Sequence, residues 1–125
     1  MMYSKFHNKK ITTDEGTFDS KYEHEEWCRL KLLERAGEIF ELQRQVQFDL
    51  IPTIKTTAGT LREIKYIADF VYLEKNVWKV VDSKGFETPE YKIKKRLFIL
   101  QYVNQNMVFI ERKKGKYDKI YQKSY

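Results

Sequence analysis

A mixed α/β domain of the α+β kind, ordered helix, three strands, helix, strand, is what this sequence predicts. Three observations carry that expectation. Ser20-Lys21-Tyr22-Glu23 announces a helix, and the stretch from Gln43 to Lys84 is rich in β-branched and aromatic residues interrupted only by turn chemistry. Thr88-Pro89-Glu90 then opens a second helix ahead of a last apolar run, Met107 to Ile110. At 125 residues the chain has the length of one domain, so residues 1–125 read as a single unit ending in a basic tail from about Arg112.

Each element has its own signature. Ser20 with Glu23 three residues on is a capping box, and the helix should run through Trp27, Leu30 and Leu33 to Gly37. On it, Glu23 shares the stripe of Trp27 and Leu30, Glu26 borders that stripe, and Glu25 points the opposite way. Glu23 is thus the helical acid best placed for a site. Val46, Phe48 and Leu50 alternate with polar residues as a half-buried strand from Val46 to Ile54, which Pro52 ends or marks as an edge. Thr56 to Thr60 is a turn, and the chain returns from Leu61 to Leu73. Glu74-Lys75-Asn76 is a hairpin step into Val77–Lys84, completing a three-strand meander. Thr88 at N-cap and Pro89 at the first helical position lead into YKIKKRLFILQYV.

Acids sit where they need a reason. Asp69 lies late in an apolar strand, and Asp82 and Lys84, two residues apart, share one strand face beside Val80 and Trp78. A carboxylate there is costly to bury unless it is paired, hydrogen-bonded or metal-bound. Two carboxylates with an ammonium alongside suit a divalent cation and a water to be activated. A cross-strand ion pair between Asp69 and Lys84 is the ordinary alternative, but it requires neither a third acid on the helix nor a second on the strand.

Composition narrows the partners. Lys and Arg number 24 against 18 Asp and Glu, a net charge of +6 that favours nucleic acid or another polyanion. Hydrophobic residues at 42% and aromatic residues at 15% argue for a packed core against disorder. The single cysteine, Cys28, excludes an intramolecular disulfide and a cysteine-based zinc site, and reads as a small core residue in a reducing compartment. His7 and His24 are too few and too far apart for a histidine-based metal site. The start MMYSKFHNKK has no apolar h-region and no run reaches the length of a membrane span, so the expectation is a cytoplasmic protein, in a bacterial host if phage-encoded.

The order helix, three strands, helix, strand, with an acid on the first helix, an Asp on the second strand and Asp-X-Lys on the third, resembles the core of the PD-(D/E)XK nuclease superfamily. From Phe18 to about Phe98 it is similar to a family of small phage and prophage proteins of unknown function with resolvase-like nuclease motifs. FDSKYE, the LQRQVQF strand start, YIADF and VVDSKGF carry that likeness. Two positions depart from the pattern: Ala68 stands where the superfamily has proline, and the second acid is Asp82 where Glu is also common.

The resemblance implies a restriction-endonuclease-like core, a central mixed sheet flanked by helices, and a Mg²⁺-dependent (or Mn²⁺-dependent) DNA endonuclease of the Holliday-junction resolvase kind, acting in phage recombination. Asp69 and Asp82 would bind the ion, with the Ser83 main-chain carbonyl completing its oxygen shell. Glu23 would orient a water or hold a second ion, Lys84 would position or help deprotonate the attacking water, and Gln45 would hydrogen-bond within the site. A non-catalytic DNA-binding or recombination-accessory protein on the same fold is the alternative. Lys92, Lys94, Lys95 and Arg96 on the second helix, with Lys113 and Lys114 in the tail, are the candidate phosphate contacts; a solvated helix face and a frayed terminus explain them without DNA. Branched DNA is the expected partner, and a symmetric homodimer would present two sites to two strands.

Overall fold

The structure is a computed structural model that describes residues 10–83 and 87–124. A hairpin of β1 (Ile11–Thr13) and β2 (Gly16–Phe18) leads into helix α1 (Lys21–Arg35). Strand β3 (Phe40–Ile51), the small hairpin β4 (Ile54–Thr56) and β5 (Gly59–Leu61), then β6 (Ile64–Glu74) and β7 (Val77–Asp82) follow. Helix α2 (Pro89–Tyr102), β8 (Met107–Glu111) and β9 (Lys119–Tyr121) complete the order. The central sheet runs β3-β6-β7-β8-β9 and is mixed: β7 and β8 are parallel, the other neighbours antiparallel. Helix α2 is the crossover that a parallel pair requires.

The helix ends form for the expected reasons. The Ser20 hydroxyl accepts from the Glu23 amide at 3.1 Å, and α1 closes in a Schellman turn with Gly37 at φ +79°. The Glu38 amide there donates to Leu33 C=O and the Gly37 amide to Glu34 C=O. The Thr88 hydroxyl likewise accepts from the Tyr91 amide at 3.0 Å.

The sheet is packed on both faces. Phe18, Trp27 and Leu30 cover Phe70, Tyr72, Val81 and Ile110 on one side. Phe98 of α2 and the following Val103 cover Leu50, Tyr66, Ala68, Val71, Val80 and Phe109 on the other. Strands β3 and β6 exchange faces part-way. Leu42 and Arg44 lie on the α1 side, whereas Val46, Phe48 and Leu50 lie on the α2 side; Phe70 and Tyr72 face α1, whereas Tyr66 and Ala68 face α2. The ladder keeps one register across the change, Arg44 opposite Phe70 and Val46 opposite Ala68. Between them Gln45 adopts φ +54°, a left-handed conformation that breaks the strand alternation of two.

Several expectations need correcting. The strand expected over Val46–Ile54 starts earlier and stops at Ile51, because Pro52 leaves the ladder and Ile54–Leu61 forms a separate hairpin. That hairpin's turn is fixed by Thr56, whose hydroxyl donates to Gly59 C=O at 2.7 Å. The return strand accordingly begins at Ile64 instead of Leu61. The tail is not a frayed end throughout, since Lys119–Tyr121 pairs with β8 as the sheet's edge strand. Cys28 is exposed on the outer side of α1, not in the core. No helix among the described residues is long and apolar enough to cross a membrane.

Candidate active site

Asp69 and Asp82 come together by register. The β6–β7 ladder ends at Phe70 opposite Val81, so one step further along residue 69 stands opposite residue 82. Both carboxylates are buried, at 2% and 3% exposure. Oδ2 of Asp69 accepts two hydrogen bonds from Ser83, from the amide at 2.8 Å and the hydroxyl at 3.0 Å, while Gln45 Nε2 lies 3.5 Å from Oδ1. Oδ2 of Asp82 accepts from the buried Tyr66 hydroxyl at 2.8 Å. Burial and the neighbouring Asp82 charge push the Tyr66 phenol well above its ordinary range, so it acts there as a donor.

Glu23, in the first turn of α1, is only 2% exposed and stands in the field of Asp69. Among the described residues its buried Oε1 has no hydrogen-bond partner, and Arg44 Nη2 stands 3.7 Å away. Burial first, then the charges of Asp69 and Asp19, push the Glu23 carboxyl up to about 8, against the pull of Arg44. The Arg44 guanidinium is held by Thr17 C=O at 2.6 Å and lies 3.9 Å from the Phe18 ring centroid. Asp69, midway along β6, is therefore met by Gln45 from β3, by Ser83 just past β7 and by the field of Glu23 from α1, with Asp82 opposite it in the ladder. Lys84, expected beside Asp82, lies outside the described residues. Of the other helical acids, Glu26 is tied to Arg29 at 3.0 Å and Arg112 at 3.3 Å, and Glu25 is exposed.

The sequence reading missed Glu111. It pairs in register with Asp82 on the neighbouring strand and is 6% exposed. Tyr91 at 2.6 Å, Tyr121 at 2.8 Å and Lys95 at 3.0 Å all donate to its carboxylate. Burial works against its charge, but these three bonds outweigh burial and hold Glu111 below its usual range. A weak sign was available: Glu111 closes the apolar run Met107–Ile110 just as Asp82 closes Val77–Val81.

This cluster corrects the reading of Lys95 as a phosphate contact. Its side chain is 11% exposed and bridges Glu111 and Glu87. Lys94 pairs with Glu90 at 2.9 Å, whereas Lys92 and Arg96 are exposed. Lys113 and Lys114 line an open groove of about 390 Å³ together with Arg29, Arg112 and Lys116. The groove adjoins the acidic site through the backbone, since the Arg112 amide donates to Asp82 C=O at 2.8 Å.

The donor set is all oxygen and suits a hard divalent cation. A cation beside Asp69 would relieve its repulsion with Glu23, but the oxygens of Glu23, Asp69 and Asp82 do not all lie within 4.8 Å of one another, so as they stand two of these carboxylates at most would hold one ion. A family model described as a protein of unknown function (DUF1064) matches residues 3–119. No curated protein and no solved structure matches the chain.

Proposed function

The chain belongs to this DUF1064 family of unknown function, and from its site we propose a Mg²⁺-dependent endonuclease that hydrolyses DNA phosphodiester bonds, on a core of the PD-(D/E)XK kind. The observation that carries the reading is the burial of three carboxylates, Asp69 and Asp82 opposite each other on neighbouring strands and Glu23 in the field of Asp69, with one Glu23 oxygen lacking a hydrogen-bond partner among the described residues. Asp69, Asp82 and the Ser83 carbonyl are the residues to hold Mg²⁺ or Mn²⁺, which when bound polarises a phosphoryl oxygen and lowers the pKa of a water. Ser83 fixes the Asp69 carboxylate through its amide and hydroxyl, and Gln45 steadies the other oxygen. Glu23 accepts a proton or orients the water, and Lys84 offsets charge at the phosphate. The groove of Lys113 and Lys114, with Lys92 and Arg96, is the candidate path for backbone phosphates, and junction resolution in phage recombination by a homodimer is the finer reading.

One observation favours the alternative, a binding-only accessory protein. Asp69 and Asp82 each have protein donors of their own, so their burial does not by itself demand an ion. Incubating the protein with a four-way junction, linear duplex and single strands in Mg²⁺ decides between them. Cleavage that needs Mg²⁺ and Asp69 supports the nuclease. Binding without cleavage in Mg²⁺ or Mn²⁺ leaves the accessory protein, and equal affinity for all three DNAs, measured in Ca²⁺, removes the junction preference.

A further inference from the structure

On the outer side of α1, away from the all-oxygen site in chemistry, three different metal-ligating groups meet. Glu15 in the β1–β2 turn, His24 and Cys28 place one carboxylate oxygen, one ring nitrogen and the sulfur within 4.8 Å of one another. His24 and Cys28 are four apart on the helix, and the turn of the preceding hairpin brings Glu15 over them. His24 Nε2 and Cys28 Sγ are 3.6 Å apart. Zinc bonds of about 2.0–2.1 Å to nitrogen and about 2.3 Å to sulfur, set at a tetrahedral angle, separate those atoms by about 3.5 Å. The imidazole is also packed in place, edge-on to the buried Phe18 ring at 4.9 Å. One cysteine or one histidine alone makes no zinc site, as the sequence implies, but the fold adds a carboxylate to the two, and we propose that Glu15, His24 and Cys28 form a mixed Zn²⁺ site that clips the β1–β2 hairpin to α1.

The donor chemistry separates this site from the one at Asp69. Imidazole and thiolate select a borderline-soft ion, whereas carboxylates and carbonyls select Mg²⁺. On binding, the Cys28 thiol loses its proton to solvent and the thiolate, the neutral imidazole and the carboxylate donate to the metal, with a fourth position left for water. Two neighbours compete for the Glu15 carboxylate, the Trp27 indole and Lys31, whose Nζ stands 3.4 Å away. Glu15 and Lys31 are both 38% exposed, so that ion pair is weak and zinc can displace it. The proposal holds whether or not the protein cuts DNA.

Cobalt(II) titration under a non-chelating phosphine reductant, followed by displacement with zinc, tests it. One equivalent of Co²⁺ should develop a near-ultraviolet thiolate charge-transfer band that Zn²⁺ abolishes and excess Mg²⁺ does not. Cys28→Ser should remove the band, and His24→Ala and Glu15→Gln should each weaken binding by about tenfold or more, as loss of a direct ligand must exceed the effect of an outer-shell partner. Asp69→Asn and Glu25→Gln should leave the band unchanged, and circular dichroism checks that each variant is folded. Hydrogen exchange at residues 11–18 should slow on Zn²⁺ addition in the wild-type protein. Absence of the thiolate band, or a band indifferent to His24→Ala and Glu15→Gln, overturns the site.

Discussion

Gln45 and Asp69 stand opposite each other where β3 and β6 exchange faces, with Gln45 Nε2 3.5 Å from Asp69 Oδ1. The left-handed backbone of Gln45 releases this pair from regular alternation, so Asp69 lies between Ala68, packed under α2, and Phe70, packed under α1. A regular strand would have committed the carboxylate to one apolar face. Here it is left at the seam, able to meet Ser83 just past β7 and the field of Glu23 from α1.

The raised carboxyl of Glu23 makes metal-free stability depend on pH. Its folded value of about 8 lies above the ordinary 4.5, so its contribution is complete below the lower value and is lost as pH rises toward and through the upper one. Thermal melts of the metal-free protein should therefore fall from about pH 5 to about pH 9 more steeply than those of Glu23→Gln, by an amount on the order of a few kcal/mol at most. Mg²⁺ should flatten the wild-type profile, because a cation stabilises the ionised carboxylate. Parallel profiles for the two proteins would remove Glu23 from the site.

Asp82→Asn and Asp82→Ala should separate chemistry from folding. The amide still offers an oxygen to the Tyr66 hydroxyl, so Asp82→Asn should melt near the wild type while Mg²⁺-dependent cleavage falls by about a hundredfold or more. Asp82→Ala orphans a buried phenol and should cost a further ~1–3 kcal/mol in denaturant unfolding. Full cleavage by the asparagine variant would sink the metal assignment. Lys84→Ala should likewise abolish cleavage while leaving DNA binding in Ca²⁺ nearly intact.

The lysines should divide into two classes. Lys95→Ala leaves Glu111 buried without its cation and should destabilise the fold by roughly 3–5 kcal/mol. Lys92→Ala, at an exposed position, should stay within about 0.5 kcal/mol. Lys113→Ala with Lys114→Ala should instead weaken DNA binding across all sequences and reduce the salt slope by about 2, without moving the melting temperature. Fluorescence anisotropy over a salt series measures it, and an unchanged slope would make the groove a solvated surface.

The Lys75-Asn76 turn can be improved. Both residues have positive φ, +52° and +66°, the geometry of a type I′ hairpin turn. Replacing them by Asn and Gly should raise stability by about 1 kcal/mol, because a left-handed lysine is strained where Asn and Gly are at ease. Urea unfolding should show a higher midpoint at constant slope.

Capping and composition made the helices and the meander readable. Ser20 and Thr88 act through bonds to residues three positions away, and Val77–Asp82 is mostly valine and tryptophan, so local chemistry and tertiary placement agree. Asp69, Asp82 and Glu23 were legible for a related reason, since each interrupts an apolar pattern. The face exchange at Gln45 left no such trace, because a left-handed glutamine is imposed by the strands around it and carries no compositional mark. Lys95 misled as one cation in a run of four because its partner, Glu111, is distant in sequence. Cys28 misled because a lone cysteine carries no periodic signal, although its spacing of four from His24 is visible on a helix.

Strand β9 has a consequence for the molecule's dealings with copies of itself. It covers the β8 edge from Phe109 to Glu111, a row of peptide groups flanked by the apolar run Met107–Ile110. Uncovered, that row would be a template for strand addition by another chain. Tyr121 also latches the edge strand inward, donating its hydroxyl to Glu111 at 2.8 Å. The open edge is thereby moved from the apolar β8 to a three-residue strand that carries Lys119, and a chain cut after Asp118 should aggregate more readily than the full one.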